Sequence, residues 1–264
     1  MCVAGVTKLQ NDVIYVLRHA SQSSSIRVYK DQSPIQLQTE ILLEGVGLPH
    51  DIAASNESQC LYISDKDKKC LWKMTITNCH LSKWLEHVGD PFTMSLSFDD
   101  LVVIPRCGQP ARIEVYARNA ALVHRIQLAS EIENIRHAVE TPTRSFIVIA
   151  QCTERTSSTA QQASRWTVCE VTRDGDAVRV FEAADEAQQL SNPHHLSLDL
   201  SDGVLVADYG NHTVVQFDSD LKWRQILLST YKDSLVKPVR LFFDQKKRQL
   251  LVGQRGGTVS MYTV

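Results

Sequence analysis

Six pairs of short apolar segments recur along the chain, and this repeat constrains the fold more than any other feature. The first members read DVIYVLRH, CLYISDKD, LVVIPRC, SFIVIAQC, VLVADYG and LLVGQRGG, and the second members read SSIRVYK, KCLWKM, ARIEVYA, WTVCEV, HTVVQF and TVSMYT. Runs of β-branched and aromatic residues between turn residues are typical of β-strands. Their recurrence along the whole chain indicates a repeat architecture.

A segment that precedes each pair repeats as well, and its spacing sets the length of the unit. Pro49, Pro91, Ile135, Pro193 and Pro238 are equivalent points, separated by 42, 44, 58 and 45 residues. The longest interval contains CTERTSSTAQQASR, residues 152–165, which we interpret as a loop inserted within a strand pair. A further strand closes each unit, so that about 44 residues hold four strands, the period of a propeller blade.

We therefore expect an all-β fold, a six-bladed β-propeller with four-stranded blades of which one is incomplete. The blades are predicted at about residues 1–45, 46–88, 89–130, 131–188, 189–233 and 234–264. The last interval has room for only three strands, and residues 2–10 are needed as the inner strand of blade one. Either blade six keeps an exposed edge, or the chain is a piece of a longer one. Because exposed edges favour pairing, we expect a monomer or an edge-mediated assembly.

Two units, LPHDIAASNESQCLYISDKDKKCLWKM and PHHLSLDLSDGVLVADYGNHTVVQF, carry a more specific pattern. In both, a proline opens an apolar strand, a small or acidic turn follows, and the second strand ends in Ser-Asp or Ala-Asp. This pattern resembles the NHL repeat, and the resemblance extends more weakly over nearly the whole chain. It implies an NHL-like six-bladed propeller. The RING, B-box and coiled-coil segments of many NHL proteins are absent from the sequence, so the resemblance does not imply ubiquitin ligase activity.

The inner strands of a propeller line its central channel, so equivalent positions of the repeat become neighbours there. Directly after the equivalent points come His50, Phe92, Arg136, His194 and Val239, and one residue later come Asp51, Thr93, His137, His195 and Arg240. We expect two polar layers near the channel mouth, with Thr7 or Lys8 as the contribution of blade one. We interpret the chain as a noncatalytic binding scaffold that recognises a protein partner at this mouth. The predicted binding residues are His50, Asp51, Thr93, Arg136, His137, His194, His195 and Arg240.

An alternative interpretation is a metal site. Histidine and carboxylate side chains that converge on one axis are suitable ligands for zinc or calcium. The Pro-His pairs resemble those of peptidylglycine-amidating lyases, whose propellers hold zinc with three histidines. This alternative is a metal-dependent lyase or hydrolase that uses His50, His137, His194 and His195, with Asp51 nearby; the resemblance itself covers only His50 and His194. The main interpretation needs no cofactor, and the motifs of serine hydrolases, P-loop enzymes and H-E-x-x-H metalloproteases are absent from the sequence.

Uneven charge suggests a second alternative, the binding of single-stranded RNA. Residues 222–255 contain nine lysines and arginines against two aspartates, although the whole chain has a net charge of -2. Lys237, Arg240 and Arg255 could contact phosphates on one face of the ring. Asp65 and Asp208, which we interpret as caps of polar turns, would oppose phosphate on the same face.

Composition bears mainly on location. No run of about 18 apolar residues occurs, and the first residues lack the basic start and apolar stretch of a secretory signal. We therefore expect a cytoplasmic protein without a membrane segment. Seven cysteines without a C-x-x-C pair are expected to be reduced packing residues.

Overall fold

The protein folds as a nearly all-β ring of antiparallel blades. A computed structural model of the chain describes residues 2–9, 12–20, 23–32, 34–86, 93–99, 102–106, 110–153 and 164–264. Its strands form six sheets, of which five have four strands and the last has three. The prediction of a six-bladed β-propeller with one incomplete blade is confirmed. The centre of the inserted segment, residues 154–163, lies outside the described residues.

The first three blades follow one another along the chain. Blade one consists of β1 (Cys2–Leu9), β2 (Val13–Ala20), β3 (Ser23–Lys30) and β4 (Gln36–Leu42). Blade two consists of β5 (Pro49–Ser55), β6 (Cys60–Asp65), β7 (Cys70–Thr75) and β8 (His80–Leu85). Blade three consists of β9 (Ser95–Leu96), β10 (Val102–Arg106), β11 (Arg112–Tyr116) and β12 (Leu122–Gln127).

The remaining blades include the three-stranded one. Blade four consists of β13 (Ile132–Glu140), β14 (Phe146–Thr153), β15 (Ser164–Val171) and β16 (Ala177–Val180). Blade five consists of β17 (Pro193–Leu198), β18 (Val204–Asp208), β19 (Thr213–Phe217) and β20 (Trp223–Ser229). Blade six consists of β21 (Pro238–Asp244), β22 (Gln249–Gln254) and β23 (Val259–Thr263). A 3-10 turn at Glu186–Gln188 and helix α1 (Thr230–Asp233) are the helical elements of the described ranges, and neither has the length or hydropathy to cross a bilayer.

Burial falls from the second strand of each blade outward. Every residue of β6 and of β18 is buried, whereas all four residues of β16 are exposed. The second strands are apolar on both faces because a neighbouring blade covers each face. This arrangement explains why runs such as CLYISD and VLVAD show no alternation of apolar and polar residues. Among the described cysteines all are free, and Cys60, Cys70 and Cys169 are buried as packing residues.

The junction between blades six and one has the smallest apolar cluster. Five buried residues form it, namely Val3, Val6, Ile14, Val16 and Leu251, against eight to fourteen in the clusters at the other junctions. The two blades approach closely because Gly253 has no side chain, and a Cβ atom there would lie 2.8 Å from Cγ1 of Val3. β1 pairs only with β2, so side chains rather than a shared sheet join the two ends of the ring.

An ionic cluster reinforces this junction at the end of β1. The Lys8 ammonium lies 2.5 Å from Oδ2 of Asp31, 3.3 Å from Oδ1 of Asp12, and also bonds Asp244 of blade six. Lys247 contacts Asp12 and Asp31 as well, each at 3.0 Å. Burial acts to lower the pKa of Lys8, but its bonds to Asp244 and Asp31 outweigh this and raise that pKa. Lys8 therefore stays charged and holds blade six to blade one.

Replacing Lys8 tests this junction. Lys8→Met leaves buried carboxylates without their shared cation, and we expect a loss of about 3–5 kcal/mol in the free energy of unfolding. Urea unfolding at neutral pH measures it. Lys246→Met removes an exposed lysine of blade six and is expected to change the free energy by less than about 0.5 kcal/mol. Equal effects of the two substitutions would show that the cluster does not hold the ring closed.

Candidate functional site

A β-bulge recurs near the start of the inner strands and decides which side chains meet. The pairing with the second strand shifts between Val3 and Gly5 in blade one, and the other shifts are Pro49/Asp51, Ile135/His137, Pro193/His195 and Pro238/Arg240. A bulge inserts one extra residue and redirects the side chains around it. We call this end of the ring the proximal face. The proximal layer consists of the residues that follow the bulge, Gly5, Asp51, His137, His195 and Arg240, together with Thr93.

Blade one contributes a glycine to this layer, so the prediction of Thr7 or Lys8 was wrong. Lys8 lies at the opposite end of β1, against Asp244, and Thr7 lines the channel between the two ends. The alignment failed because blade one has no proline at the equivalent point. The bulge itself leaves no trace in a pattern of apolar residues. Phe92, the predicted contribution of blade three to the outer layer, lies outside the described residues.

The proximal layer is buried. Asp51 and His137 are 1% exposed, Thr93 and Arg240 are 3% exposed, and His195 is 7% exposed. The three bulge residues with polar side chains, His50, Arg136 and His194, are only half-buried and form the rim around the layer. Of the eight predicted binding residues, these three are the ones that solvent reaches most easily.

Side chains of the proximal layer bond the backbone of the next blade. Met94 N donates to Oδ2 of Asp51 at 3.0 Å, Leu196 N donates to Nδ1 of His137 at 3.4 Å, and Leu241 N donates to Nδ1 of His195 at 3.4 Å. The Thr93 hydroxyl donates in the same direction, to the carbonyl of Arg136. Each contact links blade n to blade n+1, so the layer works as a set of clasps between blades.

One ion pair reaches across blade one. Nε of Arg240 in blade six donates to Oδ1 of Asp51 in blade two at 3.0 Å, and Nη1 donates to the carbonyl of Val239 at 2.7 Å. Gly5 lies between the two blades, where a Cβ atom would come within 2.6 Å of Cγ2 of Ile52. Burial acts to raise the pKa of Asp51, but the charge of Arg240 and the contact with His195 outweigh it and hold that pKa below its ordinary value. The pair is therefore charged at neutral pH.

The two histidines of the layer are neutral and lie face to face. Their ring centroids are 3.7 Å apart, with 31° between the planes. Burial lowers the pKa of both His137 and His195; the neighbouring imidazole adds to this at His137, whereas Asp51 opposes it at His195. Because each Nδ1 accepts from a backbone N–H, the single ring hydrogen of each imidazole belongs on Nε2.

Asp51, His137 and His195 place one potential ligand atom each within 4.8 Å of one another, which makes them the natural place to test the metal hypothesis. A metal-bound histidine normally carries its hydrogen on the nitrogen away from the metal and donates it to an acceptor. Here both Nδ1 atoms accept from backbone N–H groups. A metal on Nε2 would move the ring hydrogen to Nδ1, where it would point at the hydrogen of the N–H donor. The Asp51 carboxylate is also already ion-paired with the guanidinium of Arg240. The residues present do not fit a zinc or calcium ion.

His50 and His194, the other two predicted ligands, are directed elsewhere. Nδ1 of His50 lies 3.0 Å from Nη2 of Arg240, and the ring of His194 stacks on Tyr209 with centroids 4.8 Å apart. Burial, followed by the charges of Arg136 and Arg240, lowers the pKa of His194 to about 3. The four predicted ligands therefore do not converge on one point, and the group within reach of one ion is Asp51 with His137 and His195.

Tyr209 organises a basic cluster on the rim of blades five and six. Nζ of Lys237 and Cζ of Arg255 each lie 5.6 Å from its ring centroid, and Arg255 donates to its hydroxyl at 2.6 Å. We call His194, Tyr209, Lys237 and Arg255 the Tyr209 cluster. Lys237 and Arg255 are exposed, as the RNA hypothesis requires, but Arg240 is buried against Asp51 and is out of reach of a phosphate. Tyr209 was not among the predicted site residues, because it lies in the short turn between β18 and β19 and belongs to no binding motif.

The carboxylates expected to repel phosphate on this face are occupied as turn caps. Asp65 accepts from Lys68 N at 3.1 Å and Asp208 accepts from Gly210 N at 3.2 Å, each in the turn that follows its strand. Both also bond the segment before the inner strand, at Leu48 N (3.0 Å) and Asn192 N (2.9 Å). The interpretation of both as caps of polar turns is confirmed. Basic side chains therefore dominate the part of the rim beside blade six.

Behind the proximal layer, the channel widens toward the opposite face. A cavity of about 270 Å³ extends from His137 and His195 to Phe98, Glu140 and Gln245. Glu140 is held by Arg173 at 2.6 Å and by Phe98 N at 3.2 Å, so its charge is satisfied by the protein. The proximal layer closes one end of the channel and leaves the other end open.

The comparisons show the fold alone. No family model matches the sequence, and no curated protein matches it either. Among solved structures, hydrazine synthase from Kuenenia stuttgartiensis superposes with a TM-score of 0.68 at 13% identity, covering 99% of this chain and 95% of that one. Virginiamycin B lyase from Staphylococcus aureus, in a catalytically inactive form with quinupristin, gives 0.67 at 9% identity, covering 100% and 95%. The WD40 β-propeller domain of Doa1 gives 0.65 at 12% identity, covering 98% and 92%.

These neighbours are enzymes in some cases and a WD40 propeller in another, so their functions do not converge. The chain is a six-bladed β-propeller whose solved neighbours are propellers too. Membership of the NHL family, which two units of the sequence resemble, is not confirmed by any of these comparisons.

Neutralising Asp51 tests the ion pair across blade one. Asp51→Asn leaves Arg240 buried without a countercharge, and we expect a loss of about 3–5 kcal/mol in the free energy of urea unfolding. Asp67→Asn, an exposed carboxylate in the β6–β7 turn, is the matched control, with an effect below about 0.5 kcal/mol. A loss equal to that of the control would mean that the pair does not stabilise the ring.

The lowered histidine pKa values predict a specific pH dependence. Unfolded histidines take up protons near pH 6.5, whereas folded His137, His194 and His195 do so only at lower pH, so the unfolded state binds more protons below about 6.5. The free energy of unfolding should therefore fall as the pH decreases from about 6.5 toward 4. His194→Gln should make this decrease shallower, as measured by urea unfolding across that range. An exposed-site control, His80→Gln, should keep the parent slope, and an unchanged slope in His194→Gln would refute the assignment.

Proposed function

We propose that the protein is a noncatalytic binding scaffold that recognises an acidic segment of a protein partner at its proximal face. The observation that carries the proposal is a difference in burial between two groups of polar residues at that face. The side chains of the proximal layer are buried and form hydrogen bonds and an ion pair between blades. In the Tyr209 cluster beside it, Lys237 and Arg255 are exposed and basic. A catalytic reaction at the proximal layer would have to break the hydrogen bonds and the ion pair that join neighbouring blades.

The Tyr209 cluster has the composition of a recognition surface. An aromatic ring flanked by Lys237 and Arg255 offers a flat apolar contact together with two cations. Tyrosine and arginine are enriched among residues that dominate binding energies. His194 is neutral and stacks on the Tyr209 ring, so it supports Tyr209 without adding charge.

A second polar contact extends the surface toward blade four. Cζ of Arg136 lies 4.1 Å from the ring centroid of Trp166, and Nη1 donates to the carbonyl of Pro193 at 3.0 Å. Arg136 thus links the rim of blade four to the segment that leads into His194. Arg136, His194, Lys237 and Arg255 form an arc of nitrogen-rich side chains, which favours a partner with carboxylates through complementary charge.

Charge reversal on this arc tests the proposal. The double variant Lys237→Glu/Arg255→Glu should bind a labelled peptide of alternating glutamate and tyrosine at least about ten-fold more weakly than the parent in fluorescence anisotropy. The matched control is Lys222→Glu/Lys246→Glu, which makes the same charge change at turns of the opposite face and should bind like the parent. Equal binding by all three proteins would exclude this surface.

Two further outcomes address the alternatives. Preference for single-stranded oligouridine over the acidic peptide, lost in the same double variant, would replace the protein partner by RNA. Elemental analysis of the purified protein is expected to find no stoichiometric metal, and a tightly bound ion at one per chain would overturn the noncatalytic assignment.

A further inference from the structure

The outer edge of β23 offers three residues for strand pairing. Gln254 N donates to Thr258 O at 2.9 Å and Val264 N donates to Arg248 O at 3.0 Å, which fixes the phase of the β22–β23 ladder. Because hydrogen-bonded and non-hydrogen-bonded pairs alternate in antiparallel sheets, Ser260 and Tyr262 face β22 with their backbone groups. The N–H and C=O groups of Val259, Met261 and Thr263 point away from it, and no strand of the described chain lies there.

β23 lacks the charges that protect the other edges. The outermost strand of each complete blade carries an exposed charged residue: Glu40, Lys83, Arg125, Arg179 and Arg224. Charged side chains on an edge strand prevent pairing with other chains. β23 reads VSMYT and has none, which makes it similar to β19, TVVQF, a strand paired on both sides. Its composition is that of an interior strand.

An apolar groove runs beside this edge toward blade one. A cavity of about 130 Å³ lies among apolar side chains that include Ile14, Ile35, Val259 and Met261, with Tyr29 and Arg18 also in its lining. Ile35 is 42% exposed and Met261 is 37% exposed. Side chains alternate along a strand, so a segment added to β23 would place every second residue over this groove. The occupant therefore needs an apolar residue opposite Met261 and no charge that would block strand pairing.

β23 itself meets these requirements. We propose that β23 pairs antiparallel with β23 of a second copy of the chain, about a two-fold axis at Met261. Met261 then faces Met261 of the second copy, and Val259 faces Thr263 in both directions. Every outward backbone group is used, giving about six hydrogen bonds, since each hydrogen-bonded pair exchanges two. The two three-stranded blades merge into one continuous sheet, and the contact is the self-complementary kind found in closed dimers.

The register gives a site-specific test by crosslinking. In the full-length protein, Met261→Cys places two thiols on a hydrogen-bonded pair with Cα atoms about 5.5 Å apart, within the range that a disulfide spans. Under mild oxidation we expect this variant to form a covalent dimer. In Thr263→Cys the same thiols would be about 13 Å apart and should not crosslink to each other. The parent protein controls for its native cysteines.

Oligomeric state provides the second measurement. The parent protein should sediment as a dimer, and Met261→Lys, which sets two ammonium groups side by side at the axis, should sediment as a monomer. Ile226→Lys adds the same charge to the exposed outer strand β20 and should remain dimeric. A monomeric parent protein, or equal crosslinking of the Met261→Cys and Thr263→Cys variants, would overturn the proposal. Peptide binding at the edge of a monomeric parent would assign the groove to another occupant.

Discussion

The ion pair between Arg240 and Asp51 is the interaction on which the proximal end of the ring depends. It joins blade six to blade two across blade one, and Asp51 extends the connection to blade three through Met94 N. The pair can form because blade one contributes only Gly5 at that level. A bulge in each participating strand brings the following residue toward the axis. At the other end of β1, Lys8 and its carboxylates join blade six directly to blade one, so a charged contact lies at each end of β1.

This arrangement separates structural from functional chemistry within one small region. Neutral histidines, a charged pair and a threonine are a plausible set of catalytic groups when viewed as a sequence pattern. In the folded chain the Nδ1 atoms of both histidines, one Asp51 oxygen and the Thr93 hydroxyl are engaged by the backbone of the next blade. The imidazole hydrogens are placed where a metal would need lone pairs. In the proposed function, recognition takes place at the rim, where Lys237 and Arg255 are exposed beside Tyr209.

The repeat in the sequence was sufficient to predict the fold, because each blade buries a continuous apolar strand between its neighbours. It also predicted the three-stranded blade and brought Asp51, His137, His195 and Arg240 to one level of the channel. The partners that these side chains bond could not be predicted. A bulge is a backbone feature with no residue requirement here, yet it decides that His194 stacks on Tyr209 while His195 turns inward. Gly5 was missed for the same reason, since its role is the absence of a side chain.

The noncatalytic interpretation of the proximal layer requires that His137 and His195 are structural acceptors with their hydrogens on Nε2. Long-range proton–nitrogen correlation of the imidazole rings by NMR measures this directly. We expect both rings to carry their hydrogen on Nε2 and to have pKa values below the ordinary histidine value of about 6.5. A hydrogen on Nδ1, or a ring that titrates near its ordinary pKa, would contradict this interpretation and would restore the proximal layer as a candidate site for metal binding or proton transfer.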